Sequence, residues 1–116
     1  MSSTKKWHFR LRDILDAIDK IQRYTTELRK TEFAENEMAV DAVIRNFQII
    51  GEAARYIPSA VKLNYPQIPW SDMEKMRHVL VHDYDRVNIS VVWTTLKNDL
   101  PPLVPLLQAL LQTVEE

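Results

Sequence analysis

The sequence predicts an all-α protein built as an antiparallel bundle of four or five helices. Apolar residues recur at intervals of three and four in several stretches, which is the period of a helix with one buried face. The chain of 116 residues contains one glycine, whereas the tight turns of β-hairpins usually require glycine. Leu, Ile, Ala, Glu and Lys, which favour helices, are abundant. The length suffices for one hydrophobic core, so we expect a single domain over residues 1–116, with a polar and mobile leader at 1–6.

The first two helices follow from this periodicity. The apolar stripe of the first comprises Leu11, Ile14, Leu15, Ile18, Ile21 and Leu28. Thr31 is predicted to N-cap a short turn that reaches Phe33. A second long helix is expected from about Glu37 to Tyr56, and Gly51 inside it lowers helix stability by roughly 1 kcal/mol relative to alanine. A glycine at this position indicates that another helix approaches closely.

Prolines and polar caps delimit the remaining helices. Pro58 ends the second long helix, and Pro66 and Pro69 mark an extended connector, after which Ser71 is predicted to cap a third helix. The apolar side of that helix comprises Met73, Met76, Leu80 and Val81. A fourth helix is expected to start at Asn88 or Ser90, and a fifth covers about 99–113, with Asp99 as its cap and two prolines in its first turn.

Composition and charge exclude several classes of function. The formal net charge is −1, so any contact with nucleic acid must be local and not spread over a broad positive surface. The chain has no cysteine, which excludes disulfides, thiolate catalysis and cysteine-based zinc sites. It has neither an apolar signal core nor a segment of the length of a transmembrane span. We therefore expect a cytoplasmic protein that does not associate with membranes.

The stretch from Arg77 to Tyr84 gathers the groups best suited to chemistry. It holds a guanidinium, two imidazoles, a carboxylate and a phenol, near the end of the third helical pattern. Side chains five residues apart on a regular helix are rotated by about 140°, so Arg77 and His82 would not share a face. They can converge if the helix ends near Val81, or if a second copy of the chain completes the site.

Each polar residue of this stretch has a structural and a functional interpretation. Arg77 and His82 could cap the C-terminus of the third helix, where cations are favoured, or could bind phosphate and transfer protons. His78 and His82 have the spacing of a metal-binding pair, but a third ligand other than Asp83 is missing. We therefore expect no metal site, and interpret His78 as a neighbour that shapes the pocket. Asp83 either orients an imidazole or is solvated in the turn.

The motif Arg77-x4-His82-x-Tyr84 resembles the signature of the HepT-like toxins, a branch of the HEPN superfamily of all-helical ribonucleases. The similarity extends well beyond the motif. It includes the second-helix pattern Asp41–Ala54, the segment Tyr65–Trp70, and the later Val92-Trp93 and Asn98–Pro101. Together these matches span nearly the whole chain, from about Arg12 to Leu110.

The resemblance implies a metal-independent endoribonuclease that needs no cofactor. Arg77 would bind the scissile phosphate and His82 would act as general acid or base, while RNA supplies the nucleophile in its 2′-hydroxyl. The resemblance also implies a homodimer whose two motifs face each other across a two-fold axis. Independently of it, Arg45 and Arg55 are candidates for extending the phosphate-binding track along RNA, and Glu52 either reaches the site or lies on a solvated face.

The resemblance further implies a protein partner, a small MNT-type nucleotidyltransferase that acts as antitoxin and transfers AMP to Tyr84. An adenylate on this residue would occupy the phosphate site beside Arg77. Tyr84 also has a simpler interpretation, because a tyrosine at a helix end can bury its ring and keep its hydroxyl in water. The competing function is a non-catalytic helical subunit that binds the nucleotidyltransferase and positions its substrate. An adjacent nucleotidyltransferase gene would support the toxin pair.

Overall fold

The computed structural model describes residues 6–78 and 88–115, and every regular element in these two ranges is helical. The three longest helices are α1 (His8–Thr25), α3 (Glu37–Arg55) and α7 (Leu103–Glu115). The shorter ones are α2 (Lys30–Glu35), α4 (Ser59–Asn64), α5 (Trp70–Lys75) and α6 (Ile89–Thr94), and a single π turn, Thr95–Asp99, joins α6 to α7. The predicted all-α fold class is confirmed.

Helix α1 is the central element, because it packs against both α3 and α7. Its predicted stripe faces inward: Leu11, Ile14, Ile18 and Ile21 are fully buried. Phe47 of α3 is equally buried, and the buried side chains form one continuous hydrophobic cluster. An ion pair between Arg12 and Glu115 joins the start of α1 to the end of α7.

Polar side chains at the helix starts satisfy backbone N–H groups that have no partner within the helix. Asn36 accepts a hydrogen bond from the Ala39 N–H at the start of α3, at 3.0 Å. Asn88, one of the two predicted starts of the fourth helix, accepts from the Val91 N–H at 3.1 Å.

The predicted N-cap of the short turn before the second long helix, Thr31, was wrong. Helix α2 begins at Lys30 and not after Thr31, because the Glu32 carboxylate accepts a hydrogen bond from the Arg29 N–H at 2.9 Å. This backbone hydrogen bond, aided by one from the Arg29 side chain, lowers the pKa of Glu32.

The connector before α5 is more regular than predicted. Helix α4 (Ser59–Asn64) was not predicted, and it precedes Pro66 and Pro69, the two prolines that marked the extended connector. Helix α5 begins at Trp70, one residue before the predicted cap Ser71. The Trp70 indole N–H donates to the carbonyl of Tyr65 at 3.1 Å, which fixes the connector against the start of α5.

The π turn lies just before Pro101 and Pro102, which precede α7. The Leu100 N–H donates to the carbonyl of Thr95 at 3.0 Å, a hydrogen bond that encloses one more residue than an α-helical one. Leu96 and Leu100 are both buried on the core side of this turn. Asp99, predicted to cap the last helix, ends the π turn, and α7 begins at Leu103. Within the described residues, no helix is both long and apolar enough to cross a membrane.

Candidate functional site

Gly51 of α3 determines where the backbone after α5 passes. A Cβ atom added at Gly51 would lie 2.4 Å from the Arg77 backbone nitrogen and 2.8 Å from the Arg77 Cβ. It would also lie 3.0 Å from the Glu74 carbonyl oxygen. Only a glycine permits this contact without displacing the neighbouring backbone, so the close approach predicted at this position is confirmed. Arg77 is therefore positioned by direct backbone packing.

The chain leaves the α-helical path immediately before Arg77. Helix α5 ends at Lys75, and the N–H groups of the next three residues donate to carbonyls three residues earlier, at 3.1, 3.4 and 2.9 Å. Such bonds tighten the last turn of a helix. Helix α5 therefore ends before Arg77, and Val81, near which the sequence left open that the helix could end, lies outside the described residues. Arg77 projects from this tight turn.

Two neighbours orient the guanidinium of Arg77. Its Nε donates a hydrogen bond to Nε2 of His78 at 2.9 Å, and its Nη1 lies 3.9 Å from a carboxylate oxygen of Glu52. The other Glu52 oxygen accepts a hydrogen bond from Arg55 at 3.2 Å. The Arg77 side chain is 28% exposed, and its Nη2 has no hydrogen-bond partner in the part of the chain that the structure describes. Among the described residues, the Nη2 group of the guanidinium is thus available to a ligand.

An open cleft of about 460 Å³ lies beside Arg77, between α1, α3 and the turn after α5. Its lining residues are Arg10, Asp13, Arg45, Gln48, Ile49, Glu52, Ala53, Arg77 and His78. Three arginines and two carboxylates give the lining an excess of positive charge, although the whole chain has a formal charge of −1. A cleft of this size and charge can hold a phosphate group together with part of its sugar or base.

The sequence-predicted residues lie at different distances from this cleft. Arg77, His78 and Arg45 all line it. Arg55 does not, but it shares the Glu52 carboxylate with Arg77, so Glu52 pairs with arginines at the site. The remaining motif residues, His82, Asp83 and Tyr84, lie outside the described residues, as do Leu80 and Val81.

Three polar residues of the cleft were not predicted from the sequence: Arg10, Asp13 and Gln48. Arg10 and Asp13 lie one turn apart on the polar side of α1, and this pattern is equally typical of a solvated face. Their position became evident only from the packing of α1 against α3. Asn46 of α3 is buried and donates to the Ala42 carbonyl at 2.8 Å, and it does not line the cleft.

The aromatic residue beside the cleft is Tyr56, which follows the last residue of α3. The guanidinium carbon of Arg10 lies 4.3 Å from the centre of its ring, and that of Arg55 lies 5.7 Å away. Trp70 is buried, and Trp93 packs against Phe33 with ring centres 5.3 Å apart.

The arrangement is suited to binding a phosphodiester by charge and directed hydrogen bonds. Arg77 offers an Nη2 group that has no partner among the described residues, and Arg10 and Arg45 add cations in the same cleft. Across the described residues, no cluster of three or more His, Asp or Glu side chains has the geometry of a metal site.

Comparison with known proteins identifies close relatives of the chain. A family model described as "Ribonuclease HepT-like" matches residues 14–110. A probable ribonuclease HepT of Thermococcus cleftensis is 42% identical over 93 residues, covering 80% of this chain and 84% of the relative. Putative RNase MJ1380 of Methanocaldococcus jannaschii is 36% identical over 93 residues, covering 80% and 85%. Putative RNase MJ0125 of the same organism is 35% identical over 106 residues, covering 91% of each. No solved structure matches.

Proposed function

The chain belongs to the HepT-like ribonuclease family, and from this premise we propose that it is an endoribonuclease toxin that cleaves RNA without a metal ion. The observation that carries the proposal is the position of Arg77 in a cationic cleft, with an Nη2 group that has no partner among the described residues. The N–H groups of Nη2 can donate to oxygens of a phosphodiester, whose charge increases as the bond to the 2′-oxygen forms.

In the proposed cleavage step, four side chains between residues 77 and 83 have separate roles. The 2′-hydroxyl of RNA attacks the neighbouring phosphorus, the bond to the 5′-oxygen breaks, and a 2′,3′-cyclic phosphate forms. His82 accepts the proton of the 2′-hydroxyl or donates one to the leaving 5′-oxygen, because imidazole exchanges protons near neutral pH. Arg77 stabilises the charge on the non-bridging oxygens. His78 keeps the guanidinium oriented through the hydrogen bond that it accepts, and Asp83 supports the site by orienting an imidazole.

The test compares wild type with Arg77→Ala and His82→Ala. Each substitution should abolish RNA cleavage while the helical circular-dichroism spectrum is retained, and the wild type should remain active in EDTA. Arg23→Ala is the matched control, because Arg23 is an exposed arginine that pairs with Asp19 and does not line the cleft. Mass spectrometry should find 2′,3′-cyclic phosphate ends. Loss of activity on chelation, or retention of activity in His82→Ala, would contradict the mechanism.

We propose that the active form is a homodimer. The cleft described above is open and belongs to one copy, and a two-fold axis beside it would bring two copies of Arg77 and of His82 to one RNA strand. One imidazole could then accept a proton while the other donates one. Light scattering should find a dimer at the concentration of the cleavage assay. An active monomer would refute this part of the proposal.

Regulation by a nucleotidyltransferase antitoxin in the cytoplasm completes the proposal. Tyr84 follows Arg77 by seven residues in the sequence. The phosphate of an AMP group on Tyr84 would compete with RNA for the guanidinium of Arg77. Tyr84→Phe should remain active but become insensitive to the antitoxin and ATP, and peptide mass spectrometry should locate AMP on Tyr84 of wild type alone. AMP found on Tyr24, Tyr56 or Tyr65 would contradict this assignment.

The alternative function is a non-catalytic subunit that binds the nucleotidyltransferase. It shares the fold and the partner, but it does not require that purified protein cleave RNA. Cleavage by the isolated wild type, lost in Arg77→Ala, would therefore decide against it. Stable binding to the partner without cleavage of any RNA would favour it.

A further inference from the structure

Arg10 and Tyr56 together have features that the proposed cleavage step does not use. Arg10 lines the same cleft as Arg77, and its guanidinium lies 4.3 Å from the centre of the Tyr56 ring. Two carboxylates, Asp13 and Glu52, line that cleft as well, yet neither forms an ion pair with Arg10. Within residues 6–78 and 88–115, the Arg10 guanidinium contacts the Tyr56 ring and forms neither an ion pair nor a side-chain hydrogen bond.

The backbone of Tyr56 is held by hydrogen bonds, although the residue is 53% exposed. It caps the C-terminus of α3, and its N–H donates to the carbonyls of Ala53 and Ala54. The backbone that carries the ring is therefore part of a rigid helix end. The ring itself packs against the Arg10 guanidinium at 4.3 Å, so the pair loses less conformational freedom when a ligand stacks on it than two separate side chains would.

From this geometry we propose that Arg10 and Tyr56 form a stacking subsite for a nucleobase of the RNA strand adjacent to the phosphate at Arg77. Guanidinium planes and aromatic rings are the surfaces on which proteins stack unpaired bases. A base in the cleft would lie on the face of the Arg10 guanidinium away from Tyr56, and extend the ring–guanidinium pair by one layer. The subsite rests on the proposed function for its ligand, and it makes single-stranded RNA the substrate class because a paired base offers no free face.

The chain also contains a matched control pair. Arg23 lies 5.9 Å from the ring centre of Tyr24, which is 42% exposed, but neither residue lines the Arg77 cleft. Tyr24 lies 14 residues after Arg10 on α1, a distance of about 21 Å along a helix axis. The same substitutions can therefore be made in an arginine–tyrosine pair at a remote position, whose tyrosine is also largely exposed.

The experiment measures binding of a short single-stranded RNA whose 2′-hydroxyls are methylated, so that cleavage cannot occur. Fluorescence anisotropy should show affinity lowered by about fivefold or more in Arg10→Ala and Tyr56→Leu, as expected for loss of one base stack. Tyr56→Phe should bind as wild type, since its ring remains. Tyr24→Leu should also bind as wild type, and thermal unfolding should show that all variants are folded.

A second probe separates base stacking from packing or charge. The same methylated RNA without its bases should bind wild type and Tyr56→Leu equally well, because the stacked layer is missing in both complexes. Equal loss on both RNAs, or unchanged binding of normal RNA by Tyr56→Leu, would overturn the subsite. If wild type binds the methylated RNA but never cleaves unmodified RNA, the proposed ribonuclease function is wrong and the stacking subsite is not. If wild type binds neither methylated nor unmodified RNA, the proposed function and the stacking subsite are both wrong.

Discussion

Replacing Gly51 with alanine should damage activity more than stability. The added Cβ would lie 2.4 Å from the Arg77 backbone nitrogen, and an ordinary contact begins at 3.4 Å, so the Arg77 backbone must move by about 1 Å. A misplacement of about 1 Å at a catalytic group can lower the rate about a hundredfold. We therefore expect a loss of this order in the kcat of RNA cleavage.

The stability change in Gly51→Ala is the difference between two opposing terms. Alanine inside a helix gains about 1 kcal/mol over glycine, whereas overpacking typically costs about 1–3 kcal/mol. The net loss in the free energy of unfolding should thus be about 0–2 kcal/mol, measured by urea denaturation. The protein should remain folded at the temperature of the cleavage assay.

A control variant distinguishes displacement of Arg77 from general destabilisation. Ile21→Val shortens a fully buried side chain of α1 and should lower the free energy of unfolding by about 0.5–1.5 kcal/mol. Because Ile21 does not line the cleft, its kcat should be that of wild type. A Gly51→Ala variant that is more stable than wild type and fully active would refute the reasoning, since the backbone would then have room for the Cβ atom.

Three further predictions concern the cleft, the start of α2 and the core. Glu52→Gln removes one negative charge near Arg77 and should lower the KM for RNA about twofold to fivefold at low salt. Its stability should change little, because exposed ion pairs contribute about 0–1 kcal/mol. An unchanged KM at low salt would contradict the role of charge. The lowered pKa of Glu32 stabilises the folded chain at neutral pH, and this contribution is lost as pH falls through the folded pKa. Glu32→Gln should therefore remove part of the acid-induced loss of stability below about pH 4. Identical pH profiles of the unfolding temperature in the variant and wild type would contradict this prediction. Because the Phe47 ring is fully buried, Phe47→Ala should lower the free energy of unfolding in urea by about 3–5 kcal/mol, and Phe47→Leu by clearly less. A loss of only about 0.5 kcal/mol, the size typical of surface substitutions, would mean that the ring is not in the core.

The parts of the fold that were predicted correctly depend on local chemistry. The stripe of α1 and the span of α3 follow from the helical repeat of apolar residues, and Asn88 begins α6 because its side chain accepts a backbone hydrogen bond. The start of α2 was missed for a physical reason. Glu32 accepts the Arg29 N–H from inside the helix, so a carboxylate three residues later replaced the hydroxyl cap expected at Thr31.

Apart from Arg45, which the sequence suggested as part of a phosphate-binding track, the polar residues of the candidate site were predictable only where they are neighbours in sequence. Arg77 and His78 stand together in the motif, whereas Arg10 comes from another helix and reaches the cleft through tertiary packing. No periodicity within α1 distinguishes Arg10 from a solvated arginine. Gly51 was the exception, because a helix-weakening residue in a long helix indicated a close neighbour, although it did not identify that neighbour as Arg77.

The π turn at Thr95–Asp99 has a consequence for how chain length varies in this fold. Its hydrogen bond from Leu100 to Thr95 encloses one residue more than an α-helical turn does. A chain that lacks one of the exposed residues Lys97 or Asn98 could close the same turn with an ordinary α-helical hydrogen bond, and α7 would still follow. A one-residue gap at this point in a sequence alignment would therefore record a change in helix winding and would leave the cleft on the opposite helices untouched. It is a place where insertion and deletion are absorbed inside a helix and not in a loop.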